Sequence, residues 1–291
     1  MAGPASSRAF LSGQVCLVTG GAQGVGWALC QALADHGARV HACDISEESL
    51  ARAEAERAAS PWAEAIHLVR CDVTDRRALT EWISGVQARE GRVDVLVNNA
   101  VFVRFEDVDT MSVEAAERTM RVGYDAMVYA TKAVLPHMRA AGAGHIVNMG
   151  SSLGRIFTRP SSAAYSATKA AIAAYTQVLQ LELEGTPVGA TLVRPGTIAG
   201  TGFFREQVPS TVMPRAADFL PPLSPPDVAR AIVRALRRRT RILDIPGYLP
   251  PLYLFYELAP RLFRWAMSLG GQARRDFGAL EWRYGREDKE R

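Results

Sequence analysis

The segment from Gln14 to Gly37 restricts this chain more than any other. Gln14-Val-Cys-Leu-Val-Thr19 is a short apolar run rich in β-branched residues, and the glycine cluster Gly20-Gly-Ala-Gln23-Gly24-Val25-Gly26 stops it. A helical pattern then runs through Trp27, Leu29, Cys30, Leu33 and His36 until Gly37. A continuously apolar run of this length reads as a strand buried on both faces, the habit of parallel sheets. The glycines leave the backbone open to close approach, because no Cβ obstructs it. The first turn of the helix beyond offers unpaired N–H groups and a partial positive charge. A phosphate-bearing ligand suits such a turn; a merely tight connection is the other reading of the glycines.

The strand-then-helix unit repeats along the chain. Arg39 to Cys43 is a second strand closed by Asp44, and Ser46 is the expected N-cap of a helix up to Ala59. Ile66 to Arg70 is a third strand, followed by Cys71-Asp72-Val73-Thr74 and a helix to about Glu90. Val93 to Val97 is a fourth, ending in Asn98-Asn99-Ala100, and Ser112 should cap one long helix running to about Met138. His145 to Met149 is a fifth strand, followed by Gly150-Ser151-Ser152-Leu153-Gly154, and a helix spans Ala163 to about Glu184. Pro187 to Val193 is a sixth strand, ending in Arg194-Pro195-Gly196. Residues 197–226 break the rhythm, with only a short helix expected near 202–207; Asp227 to Arg238 is another helix and Arg241 to Ile245 the last strand. This alternation predicts an α/β fold, a doubly wound parallel sheet of about seven strands with helices on both faces. One domain should cover residues 1–245, with 246–291 as an appendage. Ligands of such sheets bind beyond the carboxyl ends of the strands, where the strand order reverses. Every polar or glycine motif named above falls at a strand's carboxyl end, so all converge on one crevice.

Composition removes several function classes. Lys and Arg number 34 against 30 Asp and Glu, and the excess is spread out except in Arg234 to Arg241. A nucleic-acid binder shows a stronger basic stripe. No window reaches the ~18 uncharged apolar residues of a spanning helix. The N-terminal Met-Ala-Gly-Pro-Ala-Ser-Ser-Arg lacks the apolar core of a signal peptide, so none is expected. Cys16, Cys30, Cys43 and Cys71 form no Cys-x-x-Cys, which predicts buried reduced thiols in a cytoplasmic protein. The histidines show no metal-ligand spacing, and no metal is expected.

Tyr165 and Lys169 lie four apart on a predicted helix, on one face and one turn from each other. A free tyrosine titrates near pH ~10. A nearby ammonium favours the phenolate, so the pair can serve as a proton-transfer device near neutral pH. The same spacing occurs on ordinary helix surfaces, and the surroundings decide between the two.

Over about residues 10 to 245 the chain resembles the NAD(P)-dependent short-chain dehydrogenases/reductases. The resemblance rests on motifs in the family's order: Thr19-Gly20-x-x-x-Gly24-x-Gly26, Asp72-Val73, Asn98-Asn99-Ala100, Ser152, Tyr165-x-x-x-Lys169 and Pro195-Gly196. It implies a Rossmann-like sheet and hydride transfer between a nicotinamide and a carbon bearing oxygen, interconverting a secondary alcohol with a ketone or aldehyde. Gly20, Gln23, Gly24, Val25 and Gly26 would then hold the pyrophosphate. Asp44 would bond the adenosine ribose and repel a 2′-phosphate. That implies NAD rather than NADP, in keeping with Gln23 and Ile45 where NADP users often carry a basic residue. Asp72 would bond the adenine, with Val73 beside it. Asn98, Asn99 and Ala100 would pass under the cofactor, unless Asn98 simply closes its strand. Pro195, Gly196 and Ile198 would lie against the nicotinamide, with Thr197 and Thr201 both candidates for its carboxamide. Tyr165 would exchange the proton, and Lys169 would lower the Tyr165 pKa and bond the nicotinamide ribose. Ser152, 13 residues before Tyr165, is preferred to Ser151 as donor to the substrate oxygen.

Two departures from the family stand out. Gly123, in Arg121-Val-Gly-Tyr-Asp125, takes the place of the usual Asn, whose helix is distorted so that a backbone carbonyl holds a water of the proton relay. The relay is expected to persist through backbone and water; the competing reading is a non-redox dinucleotide-binding sensor or scaffold. Val101 replaces a usual Gly and, with Phe102, narrows the site. A lid over 198–223 carrying Phe203, Phe204, Val212, Met213, Phe219 and Leu220, together with Phe102, Phe105 and Phe157, implies an apolar substrate of steroid, terpenoid, polyketide-like or long-chain type. The loop Leu153 to Ser162 should face that lid. The tail from 246 is partly helical, with Pro260 breaking or starting a helix. It should cover the substrate mouth or a subunit interface, and an interfacial membrane helix is the weaker reading. Ala163, Ala167, Ala170, Ala171 and Ala174 give the Tyr–Lys helix a small-residue surface suited to a homodimer or homotetramer.

Overall fold

The computed structural model describes residues 9–200, 215, 218, 222–269, 271 and 273. Strands β1 (Val15–Thr19), β2 (Arg39–Asp44), β3 (Ile66–Arg70), β4 (Val95–Asn98), β5 (Gly144–Met149), β6 (Val188–Pro195) and β7 (Ile242–Ile245) form one seven-stranded sheet in the order β3-β2-β1-β4-β5-β6-β7. Every pairing is parallel. The apolar runs of β1, β2, β4 and β5 explain this, since each of these strands is buried almost throughout. The order reverses between β1 and β4, where the crevice opens.

Helices cover both faces. On one side α1 (Gly24–Asp35) packs with α7 (Pro225–Arg238), joining Leu29, Leu33, Val228 and Ile232 in one layer. On the other, α3 (Arg76–Glu90), α5 (Ala126–Ala141) and α6 (Ala163–Glu182) bury Leu79, Ile83, Val134, Met138 and Leu179. Each such side chain contributes about 1.5–3 kcal/mol. The outer helix α2 (Glu47–Ala58) carries two buried residues, Ser49 and Ala53. The helix starts are set by short polar side chains. Ser46 accepts from Ser49 N, Asp75 from Arg77 N and Ala78 N, and Ser112 from Ala115 N, while Ser224 and Asp227 form a reciprocal capping box.

Some boundaries differ from the sequence reading. β4 begins at Val95 rather than Val93, because the Asp94 side chain turns to accept from Val15 N at 2.8 Å and to pair with Arg92. β6 runs on through Pro195, whose register partner in β7 is Ile245. The tail folds as two helices, α8 (Leu249–Leu258) and α9 (Pro260–Ser268), and Pro260 starts the second. They pack Leu249, Tyr253 and Phe263 against Ile156 of the loop after β5, and Glu257 pairs with Arg155 of that loop. The helix expected near 202–207 lies outside the described residues.

The single long helix expected from Ser112 is interrupted. It consists of α4 (Val113–Met120), a π-helical turn (Arg121–Asp125) and α5. The turn is closed by Ala126 N donating to Arg121 O. Gly123 sits within it, where α6 crosses so closely that an added Cβ would lie 2.6 Å from the Thr168 methyl carbon. Thr168 cannot swing away cheaply, because its hydroxyl donates back to Ala164 O at 2.9 Å. Gly123→Ala should therefore cost about 1–3 kcal/mol through overpacking, despite alanine's better helix propensity. Thr168→Ser deletes the obstructing methyl and keeps the hydroxyl, so it should recover most of that cost in the double variant. Urea unfolding of the full cycle reads the coupling; strictly additive losses would disprove the contact.

Candidate active site

Thr19 and Asn99 hold the crevice open at the reversal point. Thr19 Oγ1 accepts from Asn99 N at 3.1 Å and Ala100 N at 3.2 Å. Asn99 Nδ2 donates to Thr19 O at 3.1 Å and to Gly20 O at 2.8 Å. The carboxyl ends of β1 and β4 are thereby tied to each other. The glycine turn folds tightly on this latch. An added Cβ on Gly26 would lie 2.0 Å from Gly20 O, and Gly20 itself has φ +63°. Gly26 thus serves the closure of the turn itself, so the tight-turn reading of the glycines holds at that position. The turn also opens onto a cavity: Gly20, Gln23, Gly24, Val25 and Gly26 all line it. Gln23, at the head of α1, makes no side-chain capping bond, leaving the first-turn N–H groups for an anion.

The cavity has a volume of ≈ 500 Å³ and extends across the carboxyl ends of the strands. At one end lie Asp44, Ile45, Asp72 and Val73. Asp44 is a fixed group rather than a solvated loop residue. Its two oxygens accept from Ala22 N and Ser46 N, each at 3.1 Å. Asp72 accepts from Thr74 N and the Thr74 hydroxyl. Ala100, Pro195, Gly196, Thr197 and Ile198 line the middle. Glycine turn, uncapped helix start and fixed carboxylate together fit a dinucleotide along this floor. Asn98 does not reach the cavity. It donates to Asn148 Oδ1 at 2.8 Å, and Asn148 donates to the Thr176 hydroxyl at 3.0 Å, so its amide closes the strand end and ties β4 and β5 to α6.

At the other end Tyr165 and Lys169 project from the first turns of α6 and are both buried. Lys169 Nζ donates to Met149 O at 2.7 Å and lies 5.6 Å from the centre of the Tyr165 ring. Burial alone holds the Lys169 ammonium down to about pH 8. The Tyr165 phenol is pushed above its ordinary value by burial, against a hydrogen bond from Ser151 and the positive charge of Arg159.

Two residues beyond those expected act on Tyr165. Ser151, not Ser152, is the serine that bonds Tyr165. The reason is local: Ser151 precedes a 3₁₀ turn (Ser152–Gly154), and its oxygen accepts from Leu153 N at 3.2 Å, which leaves its proton to be donated forward. Ser152 also lines the cavity but belongs to the turn itself. Arg159 of the loop before α6 adds a positive charge that acts on the phenol, on the same ring whose centre lies 5.6 Å from Lys169 Nζ. No pattern or motif marks Arg159 in the sequence; only its place in the loop expected to face the substrate could have raised it.

The remaining apolar candidates divide. Phe102 and Phe105 line the cavity, Phe105 with its ring centre 5.6 Å from that of Tyr165. Phe157 points outward at 53% exposure, because Ile156 beside it takes the contact with α8. Phe203, Phe204, Val212, Met213, Phe219, Leu220 and Thr201 lie outside the described residues. Cys16, Cys30, Cys43 and Cys71 are free and buried, and the described residues contain no cluster able to hold a metal.

Comparison with known proteins gives the same direction. The family described as short chain dehydrogenase matches residues 14–211. An uncharacterized oxidoreductase of Staphylococcus saprophyticus is 30% identical over 80% of this chain and 94% of its own length. A cyclopentanol dehydrogenase of Comamonas is 36% identical over 64% of this chain and 73% of its own. Among solved structures, a metagenomic short-chain oxidoreductase in complex with NADP superposes with a TM-score of 0.65 at 30% identity, covering 81% of this chain and 96% of that one.

The Tyr165 environment can be read directly by alkaline ultraviolet difference spectra, with Tyr165→Phe as the baseline. The Tyr165 transition should lie above the ordinary tyrosine value of ~10. Ser151→Ala removes a donor to the phenolate and should move it further up, whereas Ser152→Ala should leave it in place. The opposite pattern would return the role to Ser152.

Proposed function

The chain belongs to the short-chain dehydrogenase/reductase family of oxidoreductases, and on that premise we propose that it interconverts an apolar secondary alcohol and its ketone or aldehyde with NAD. The observation that carries this reading is the convergence of Ser151, Tyr165 and Lys169 at one end of a cavity whose other end presents the glycine turn and Asp44. A nicotinamide dinucleotide bound along that floor supplies the hydride acceptor or donor. The chain supplies binding, orientation and the proton. Gly20, Gln23, Gly24, Val25 and Gly26 offer backbone to the pyrophosphate, Asp72 and Val73 border the adenine, and Asn99, Ala100, Pro195, Gly196 and Ile198 form the floor toward the nicotinamide.

Tyr165 holds the proton at its phenol oxygen. It takes it from the alcohol during oxidation and returns it to the carbonyl oxygen during reduction. Ser151 donates toward that oxygen and orients it. Lys169, fixed by Met149 O, keeps further N–H groups for a ribose hydroxyl. The π turn at Gly123 supports a proton path from Lys169 through backbone and water, the place where an Asn stands in other members. NAD is favoured over NADP because the two Asp44 oxygens are fixed at the cavity, where a 2′-phosphate would face a carboxylate. Neither Gln23 nor Ile45, which also line that end, offers a compensating cation.

An apolar substrate is supported by Val101, Phe102, Val103, Phe105 and Leu153 around the Tyr165 end. We assign residues 1–245 to the catalytic domain and 198–223 to its lid. The extension from 246 is a buttress: α8 and α9 pack on the loop that carries Arg159 and shape the substrate mouth. The described residues contain no helix long and apolar enough to cross a membrane. The buried thiols suit a cytoplasmic setting. On α6, Ala163, Ala167, Ala174, Val178 and Leu181 form an exposed apolar stripe that fits a second copy of the chain.

A screen of cyclic and long-chain secondary alcohols, following nicotinamide absorbance with NAD and NADP separately, tests the reading. Turnover should appear with NAD, should fall about 10²–10⁴-fold in Tyr165→Phe, and by about 10²-fold in Ser151→Ala. Preference for NADP would overturn the Asp44 argument. Tight NAD binding without turnover on any alcohol or ketone would favour the non-redox sensor. For the assembly, Ala174→Arg should convert a dimer or tetramer into a monomer by light scattering; a monomeric parent protein would remove the proposed interface.

A further inference from the structure

Arg159 lines the cavity at the Tyr165 end, on a loop that is held rather than loose. The Ser162 hydroxyl donates to Arg159 O at 2.8 Å, and the Ser161 hydroxyl reaches back to Asp107 at 2.6 Å. One guanidinium N–H donates to the Thr197 hydroxyl at 3.1 Å. Among the described residues no carboxylate pairs with it, and its charge acts on Tyr165. Burial holds its pKa down to about 10, the sign of a cation short of a counter-charge. A guanidinium presents several N–H donors in a planar fork that matches a carboxylate bidentately, and Thr197 occupies only one of them. Phe102, Phe105 and Leu153 form the apolar part of the surrounding wall; of the other arginines that line the cavity, Arg118 lies over the Phe102 ring at 4.5 Å and Arg121 pairs with Glu117.

We propose that Arg159 is the specificity residue of this site, taking the carboxylate of a substrate whose apolar body lies on Phe102 and Phe105 and whose alcohol or ketone carbon lies against Tyr165. The substrate class is then an apolar hydroxy or oxo acid. This rests on the oxidoreductase reading above and narrows it. A charge-assisted pair in such a wall should favour an acid over its neutral analogue by about 10- to 100-fold.

The test separates the two readings. Butyrate, hexanoate and phenylacetate, with their amides as neutral partners, are titrated calorimetrically into the full-length protein saturated with NAD. At least one acid should bind about tenfold or more tightly than its amide. The preference should vanish in Arg159→Met and return in part in Arg159→Lys. In parallel, kcat/KM is compared for 3-hydroxyhexanoate and its methyl ester. Arg159→Met should raise KM for the acid much more than for the ester, while any loss through Tyr165 should appear equally in kcat for both. Acids that bind no better than amides, equal losses for acid and ester, or a fall in NAD affinity as large as the loss for the acids would each overturn the carboxylate assignment. Turnover of neutral alcohols would in those cases leave the oxidoreductase reading intact. Absence of turnover on every substrate with both cofactors would sink that reading, while the acid-against-amide titration would still judge Arg159.

Discussion

The bonds among Thr19, Asn99, Ala100 and Gly20 fix where this molecule can bind anything. β1 and β4 carry their helices away to opposite faces of the sheet, so their carboxyl ends would leave unpaired backbone groups beside a gap. One hydroxyl and one amide satisfy those groups, and the glycines let the turn fold onto the same amide. The cavity exists because this junction is closed without filling the space above it. A larger residue at Gly26 would have to displace Gly20 O itself, which explains glycine there before any ligand is considered.

A second constraint starts from α6. Its crossing with the π turn brings the backbone of Gly123 against Thr168, the neighbour of Lys169. That close approach seats the Tyr–Lys face deep in the molecule, and desolvation then works against both groups, raising Tyr165 and lowering Lys169. The two pKa values, close together in free side chains, are thereby driven apart: the phenol becomes a weaker acid and the amine a weaker base. Ser151 and Arg159 act on the phenol in the opposite sense. The surroundings of Tyr165 are therefore set by burial and by two loop residues as well as by the helical spacing to Lys169.

The sheet, its parallel sense and the motif-bearing strand ends were legible in the sequence, because buried strands, glycine turns and short polar caps leave local patterns. The distortion at Gly123 was legible only through the family resemblance, since the helical pattern itself reads as one long helix. What escaped depended on contacts across the chain. Asn98 could be read as a floor residue or as the close of its strand, and only the buried bonds to Asn148 and on to Thr176 decide for the second. Ser152 fitted the spacing to Tyr165, yet the 3₁₀ turn gives the bond to Ser151, and a count along the chain cannot see a turn that absorbs one residue. Arg159 left no pattern at all, since a loop arginine reads as solvated until the loop is seen to fold inward.

The charges of the site then require a completing partner. Four cations line the cavity among the described residues: Arg118 lies over the Phe102 ring and Arg121 pairs with Glu117, whereas Lys169 and Arg159 form no salt bridge among the described residues, Lys169 bonding a carbonyl and Arg159 a hydroxyl. The two aspartates of the cavity, Asp44 and Asp72, lie at the other end, across β1 and β4, Asp44 already bonded by two backbone N–H groups and Asp72 by Thr74. Cations withdrawn from water without a counter-charge, as Lys169 is fully and Arg159 in part, are costly, and a bound molecule that brings the opposite charge relieves that cost. In the proposed reaction, proton loss from Tyr165 supplies one such charge, and a phenolate near two cations forms more readily than one beside a single lysine. A substrate carboxylate at Arg159 supplies the other and places the reacting carbon within reach of Ser151 and Tyr165. On that proposal the arginine whose charge eases ionisation of the phenol also selects the alcohol presented to it, so catalysis and selectivity would share one guanidinium.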